Sequence, residues 1–441
     1  MFRRVAPLLV LLVLSAPPAR AAGLRLPDSW FAGIVRRQRD TTSALTHAAD
    51  TTAARDTLPP VWPDSLEDSE PMPEGWISGT SQPRLLPQRL PGFRILFDYN
   101  RVDQASLGAG LAPVPEETFL PRLTLEGAWS LARSQVNYTI GVEQPLTRAP
   151  YLALGGRVYR VTDTQDRGLV NDVENTLSAL LFRQDYRDYF QRQGSEGYAR
   201  LAWGADNSVR AGFRVDDLDP LPAFRSSWSL FGGTQAFRPN PAVPSGTLHQ
   251  FALALKTSSR AHRAAPQPGM DLTLTFDEAG GSLGGDFRFS RASAEHRWTT
   301  KIAPGVWLNQ RAAYGLRLAG EVPPEFLYYV GGVGTLRGYE FKQFGGDRFY
   351  LYNVEYAANL GRHIAPFDRD EMLRGVELVL FTEAGKAWTG GAAGEAGSAA
   401  PAWDAGAGVQ TSGDGFHLYV AQNLRQPHIG PRLSVRLGRT F

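Results

Sequence analysis

From Phe93 onward the chain alternates apolar and polar residues one by one, in short runs broken by turns. A period of two belongs to a strand whose two faces meet different surroundings, and a helix cannot present it. Leu123, Leu125, Trp129 and Leu131 alternate with Thr124, Glu126, Ala128 and Ser130. Leu272, Leu274 and Phe276 alternate with Asp271, Thr273, Thr275 and Asp277. Val306, Leu308, Ala312, Tyr314 and Leu316 alternate with Trp307, Asn309, Arg311, Ala313 and Arg317. Tyr350, Tyr352, Val354, Tyr356 and Leu360 alternate with Leu351, Asn353, Glu355 and Asn359, and Phe416, Leu418, Val420 and Leu424 with His417, Tyr419, Ala421 and Asn423. A soluble sandwich would need a second apolar layer, and the polar rows are too charged to supply one. Aromatic residues near strand ends, such as Trp129, Trp203, Trp307, Tyr350 and Trp388, suit interfacial girdles. The expected fold is therefore all-β, a transmembrane antiparallel β-barrel.

About sixteen candidate strands can be counted, an even number as bacterial barrels have. They begin near Phe93, Leu123, Gln135, Tyr151, Thr176, Gly197, Ser208, Leu248, Met270, Asp286, Val306, Arg348, Gly375, Ala402, Phe416 and Pro431. The fifth is ambiguous, because Asp172 to Phe182 reads equally as a helix within a loop. The long connections Asp217–Gly246 and Glu321–Asp347 are expected to be extracellular loops.

The last run, Arg432 to Phe441, sets Leu433, Val435, Leu437 and Phe441 on one face and Ser434, Arg436, Gly438 and Thr440 on the other. A final strand closing on Phe resembles the recognition signal of bacterial outer-membrane barrels, and this resemblance implies that Leu437 and Phe441 are read by barrel insertion machinery. At the other end Arg3 and Arg4 precede an apolar run, Val5 to Ala16, and Ala19-Arg20-Ala21 offers a small-x-small cleavage site. This predicts a secretory signal peptide over residues 1–21. No later run reaches the roughly 18 apolar residues of a membrane-spanning helix. Cysteine is absent, which excludes disulfides and thiolate metal sites. Loss of Arg3, Arg4 and Arg20 takes Lys+Arg from 46 to 43 against 44 Asp+Glu, a balance with no basic excess for nucleic acid. Residues 22–91 hold Pro59-Pro60, Pro71, Pro73 and a Ser/Thr/Ala-rich stretch with little periodicity, apart from a candidate short helix over Asp28 to Arg39. The expectation is a disordered periplasmic arm serving as a tether, followed by the barrel over residues 92–441.

Between two of the clear strands lies Gly331-Gly332-Val333-Gly334-Thr335-Leu336-Arg337-Gly338-Tyr339-Glu340. It resembles the (V/L/I)-R-G-(F/Y) signature in loop six of the BamA/TamA superfamily of bacterial surface antigens and outer-membrane assembly factors. Arg348 to Leu360, with Asn353-Val354-Glu355-Tyr356, resembles that family's twelfth strand. Phe381-Thr382-Glu383-Ala384-Gly385 resembles its thirteenth-strand F-x-D-x-G pattern, with Glu in place of Asp. Asp98 to Asp103 is similar to the first strand of barrel-only members. The resemblance covers roughly Phe93 to Phe441. It implies that Leu336, Arg337, Gly338 and Tyr339 form a working loop motif inside the barrel. Parity turns Glu355 and Glu383 inward, where two carboxylates can receive one planar guanidinium. Gly334 and Gly338 would let the loop turn and approach the wall. The family's assembly factors carry periplasmic POTRA modules, yet residues 23–91 show no β-α-α-β-β pattern, so none is expected here.

None of the seven histidines has a ligand partner at i+2 or i+4, and no metal, cofactor or catalytic residue is expected. His417 faces inward but reads as lining. The resemblance implies a non-enzymatic barrel that aids insertion or translocation of proteins or lipids at the outer membrane, through a weak seam between first and last strands. Its expected partners are outer-membrane lipid and lipopolysaccharide, the insertion machinery during biogenesis, and periplasmic proteins. A passive pore or structural surface antigen is the alternative.

Overall fold

A computed structural model describes residues 93–111, 119–204, 206–259, 268–360, 375–390, 400–411 and 415–437. The signal segment, the N-terminal arm and Phe441 lie outside the described residues. Sixteen strands form one antiparallel meander in which each pairs with the next. They are β1 (Phe93–Asn100), β2 (Gln104–Leu111), β3 (Arg122–Ser130), β4 (Gln135–Arg148), β5 (Tyr151–Asp163) and β6 (Phe190–Trp203). Then come β7 (Asn207–Pro220), β8 (Gly246–Ser258), β9 (Gly269–Ala279), β10 (Phe289–Ala303) and β11 (Val306–Gly320). The last five are β12 (Arg348–Asn359), β13 (Val376–Trp388), β14 (Ala402–Thr411), β15 (Phe416–Asn423) and β16 (Arg432–Leu437). In such a meander alternate connections share a rim. Loop six, between β11 and β12, and the β5–β6 and β7–β8 connections all lie on the rim opposite the chain ends.

The two faces are as unlike as the alternation requires. Leu123, Leu125, Trp129 and Leu131 are exposed on the outer face, while Glu126, Ala128 and Ser130 between them are buried on the inner one. Such a continuous outward row of large apolar side chains suits a hydrocarbon solvent and would aggregate in water. Inside, arginines and acids pair across the wall: Arg192 with Asp163 at 2.7 Å, Arg210 with Glu196 at 2.9 Å and Arg291 with Asp277 at 2.8 Å.

Three local expectations are corrected. Asp172–Phe182 is a helix, α1, and no strand begins at Thr176. Asn171 caps it by accepting the Glu174 N–H at 2.8 Å, and Arg183 ends it in a left-handed conformation at φ 59°. The strand missing from the count is β2. Its sequence, Gln-Ala-Ser-Leu-Gly-Ala-Gly-Leu, has little β-propensity of its own, and its ladder with β1 imposes the conformation. Consequently Asp98 to Asp103 is not one strand: Asn100 ends β1 and its Oδ1 accepts the Val102 and Asp103 N–H groups, turning the chain into β2. Trp307 is no girdle residue, for it packs partly against the inner cluster of Ala357, Val379, Phe381, Tyr419 and Ala421. Trp129 and Trp203 are exposed on the outer face.

A candidate functional site where loop six meets the inner wall

Loop six leaves β11 at Gly320 and reaches β12 at Arg348. Two short segments, Tyr328–Val330 and Phe344–Gly346, pair antiparallel and make its stem. Between them the chain folds on itself. Gly332 N–H donates to the Leu336 carbonyl at 2.8 Å, Tyr339 N–H to the same oxygen at 3.1 Å, and Lys342 N–H to the Gly331 carbonyl at 3.0 Å. Gly334 sits at φ 86°, and a Cβ there would stand 2.7 Å from the Leu169 carbonyl oxygen, so both conformation and space call for glycine.

This fold sets four consecutive residues against the wall. Leu336 is fully buried in a cluster with Ala313, Val330, Leu351 and Ala387. The Arg337 backbone N–H donates to Glu383 Oε2 at 2.7 Å, its Nε to Glu383 Oε1 at 2.9 Å, and its Nη2 to Glu355 Oε2 at 3.1 Å. Gly338 N–H donates to Asp404 Oδ2 at 2.7 Å. The approach is close, since a Cβ on Gly338 would lie 2.7 Å from that of Asp404. Tyr339 Oη accepts the Trp403 N–H at 3.0 Å and donates to its carbonyl at 3.2 Å. Glutamate in place of aspartate at 383 makes both of its bonds to Arg337 at ordinary length.

The guanidinium also lies over two rings, with its carbon 3.6 Å from the Phe381 centroid and 4.3 Å from that of Tyr419. With the Arg337, Glu355 and Glu383 side chains 4%, 2% and 3% exposed, water contributes little screening. Asn353 completes the shell, its Nδ2 donating to Glu383 Oε1 at 3.0 Å and to the Thr335 carbonyl at 2.8 Å.

The alternation pattern carried enough information to put Phe381 and Tyr419 on the inner face, but not to show that they bracket a cation. Asn353 and Asp404 carry no signal in the sequence for a different reason: each meets a loop whose path no periodicity encodes. A second anchor, also unforeseen, is Lys342, whose Nζ bonds Asp166 Oδ2 at 2.6 Å and Asp188 Oδ2 at 2.5 Å. Leu437 belongs to a different place. It ends β16, and its carbonyl accepts Asn171 Nδ2 at 2.5 Å. Among the described residues no group of three or more His, Cys, Asp or Glu is arranged to hold a metal ion. His417 bonds Gln410 and the Tyr419 hydroxyl. This constellation is suited to holding a loop against the wall.

The Omp85 superfamily domain model matches residues 124–413. Over 112 residues, 21% of this chain, the sequence is 32% identical to outer membrane protein assembly factor BamA of Nitratidesulfovibrio vulgaris; that stretch spans only 14% of the relative's length. Among solved structures, BamA from Haemophilus ducreyi lacking POTRA domains 1–3 aligns at a TM-score of 0.50 and 15% identity, over 81% of this chain and 73% of the other. CdiB from Acinetobacter baumannii aligns at 0.41 and 14%, over 82% and 64%. The domain match covers well over half of the chain, so the protein belongs to the Omp85 superfamily and is an outer-membrane β-barrel of the BamA/TamA type.

Proposed function

We propose that this barrel aids the insertion or translocation of proteins or lipids at the outer membrane and is not an enzyme. The observation that carries the reading is an asymmetry of the wall. Every neighbouring pair from β1–β2 to β15–β16 forms a ladder, whereas among the described residues none joins β1 to β16. The buried loop-six contacts of Arg337 and Gly338 are made to β12, β13 and β14. Among the described residues the loop meets the last strand only through the exposed Glu340–Arg432 pair at 3.0 Å, so no ladder and no buried bond from this loop closes the seam. A backbone edge is a template for another strand, which is the chemistry an incoming segment needs. The partners proposed are outer-membrane lipid and lipopolysaccharide around the outer face, the insertion machinery during its own assembly, and a periplasmic protein that delivers the client.

The test is reconstitution in lipid vesicles with an unfolded client barrel, together with cross-linking and pull-down from intact envelopes. Client insertion well above that of protein-free vesicles, and a client strand trapped at β1 or β16, is the expected result. Steady ion conductance without insertion or trapped clients would replace this reading with the passive pore. A third outcome, neither conductance nor insertion, would leave a structural surface antigen.

A further inference from the structure

The seam is not left empty. Helix α1, from the β5–β6 connection, packs along β1 and reaches β16. At its start, Asn171 caps the helix with its oxygen and gives its Nδ2 to the backbone carbonyl of Leu437 in β16. One turn in, Glu174 Oε1 accepts Arg436 Nε at 2.8 Å, and Arg436 Nη2 donates to the Leu169 carbonyl just before the helix. On the other side Thr176 Oγ1 donates to Asp98 Oδ1 of β1 at 2.7 Å. The Tyr99 N–H stands 3.5 Å from the same hydroxyl oxygen. Ala179, fully buried, packs with Tyr99 and Phe237. The segment after the helix then grips the β1–β2 turn. Arg101 N–H donates to Asp185 Oδ2 at 2.9 Å, and its guanidinium reaches the Asp185 carbonyl and Asp188.

We infer that α1 is a latch that holds β1 to β16 through Asn171, Glu174 and Thr176, and that an extended segment entering the seam must first displace it. This deepens the functional reading above and rests on it only for the identity of the incoming segment. Three things support a latch over a passive filler. The helix uses polar side chains on both edges, where a filler would need only apolar contact. One of those bonds takes up an edge carbonyl, a group an incoming strand would otherwise pair with. Finally, these contacts are few and mostly side-chain, so they can be broken one by one without unravelling a ladder.

The test uses the full chain folded in vesicles of phosphatidylcholine and phosphatidylglycerol, exploiting the absence of native cysteine. Ala179→Cys places a thiol under the helix. It should react slowly with a water-soluble maleimide, and at least tenfold faster once Asn171→Ala, Glu174→Ala and Thr176→Val are added. Equal rates in the two chains, or fast labelling in the first, would overturn the latch. Should the combined variant fail to fold, the pair Asp98→Cys with Thr176→Cys tests the same idea in one folded molecule. Oxidised, it should insert client barrels at least tenfold more slowly than after reduction, and equal rates would overturn the latch. A wild-type chain that inserts nothing while Ala179→Cys labels as expected removes the functional reading and leaves the latch. Insertion indifferent to the disulfide does the reverse.

Discussion

Replacing Arg337 by alanine tests the candidate site most directly. The side chain supplies two charge-assisted hydrogen bonds, at 2.9 and 3.1 Å, to acids that are almost fully buried. Its removal strands two carboxylates in a place with little water, and breaking a buried pair in this way costs about 3–5 kcal/mol. The stacked faces of Phe381 and Tyr419 are lost too, for roughly another 1–2 kcal/mol. Since about 1.4 kcal/mol is a tenfold change in an equilibrium, the released loop should be populated at least about a hundredfold more. Arg337→Lys keeps the charge but loses the planar fork that places Nε and Nη2 against Glu383 and Glu355 and stacks on Phe381, so it should recover less than half of the loss. Adding Glu383→Gln to Arg337→Ala removes one stranded charge, so the pair should cost less than the two single changes combined. The assay is hydrogen exchange at residues 331–343, with the temperature at which the folded, fast-migrating band is lost on electrophoresis. Unchanged exchange and an unchanged melting band in Arg337→Ala would refute the claim that these contacts hold the loop.

Gly338→Ala should loosen the same loop, because its Cβ would press on that of Asp404 at 2.7 Å, with a cost of about 1–3 kcal/mol visible in the same exchange measurement. Burial pushes the Glu325 carboxyl up to about 7. A folded-state value above the unfolded one means stability is full below about pH 4 and falls as pH rises to about 7, by about 1–3 kcal/mol. Glu325→Gln should flatten that fall, and a band-melting temperature that drops equally in both proteins would refute it. Deleting Phe441 should reduce the folded, heat-modifiable form recovered from outer membranes, and normal recovery would remove its assigned role as a targeting signal. Removing residues 23–91 should leave barrel folding intact, with protease yielding a resistant core that starts near Phe93; a stable N-terminal fragment of domain size would show a folded module instead.

What the sequence determined by itself was everything that depends on period and composition. Alternation decides which side of a strand faces lipid, so it alone places Leu123, Leu125, Trp129 and Leu131 outward and Glu355 and Glu383 inward. The physical reason is local: a residue's face is set by its own parity within a strand. The same logic failed wherever the strand was imposed from outside. Residues Gln104–Leu111 are too small and glycine-rich to announce a strand, and the β1 ladder makes them one. Asp172–Phe182 was legible as helix or strand, and only its cap and its packing on β1 decided. Tertiary structure alone could also bring together groups far apart in the chain: Arg337 with Phe381 and Tyr419, Gly338 with Asp404, Lys342 with Asp166 and Asp188, and Asn171 with Leu437. Those contacts depend on the path a loop takes across the lumen. That path is set by shape and burial over the whole barrel, and no periodicity in one segment records it.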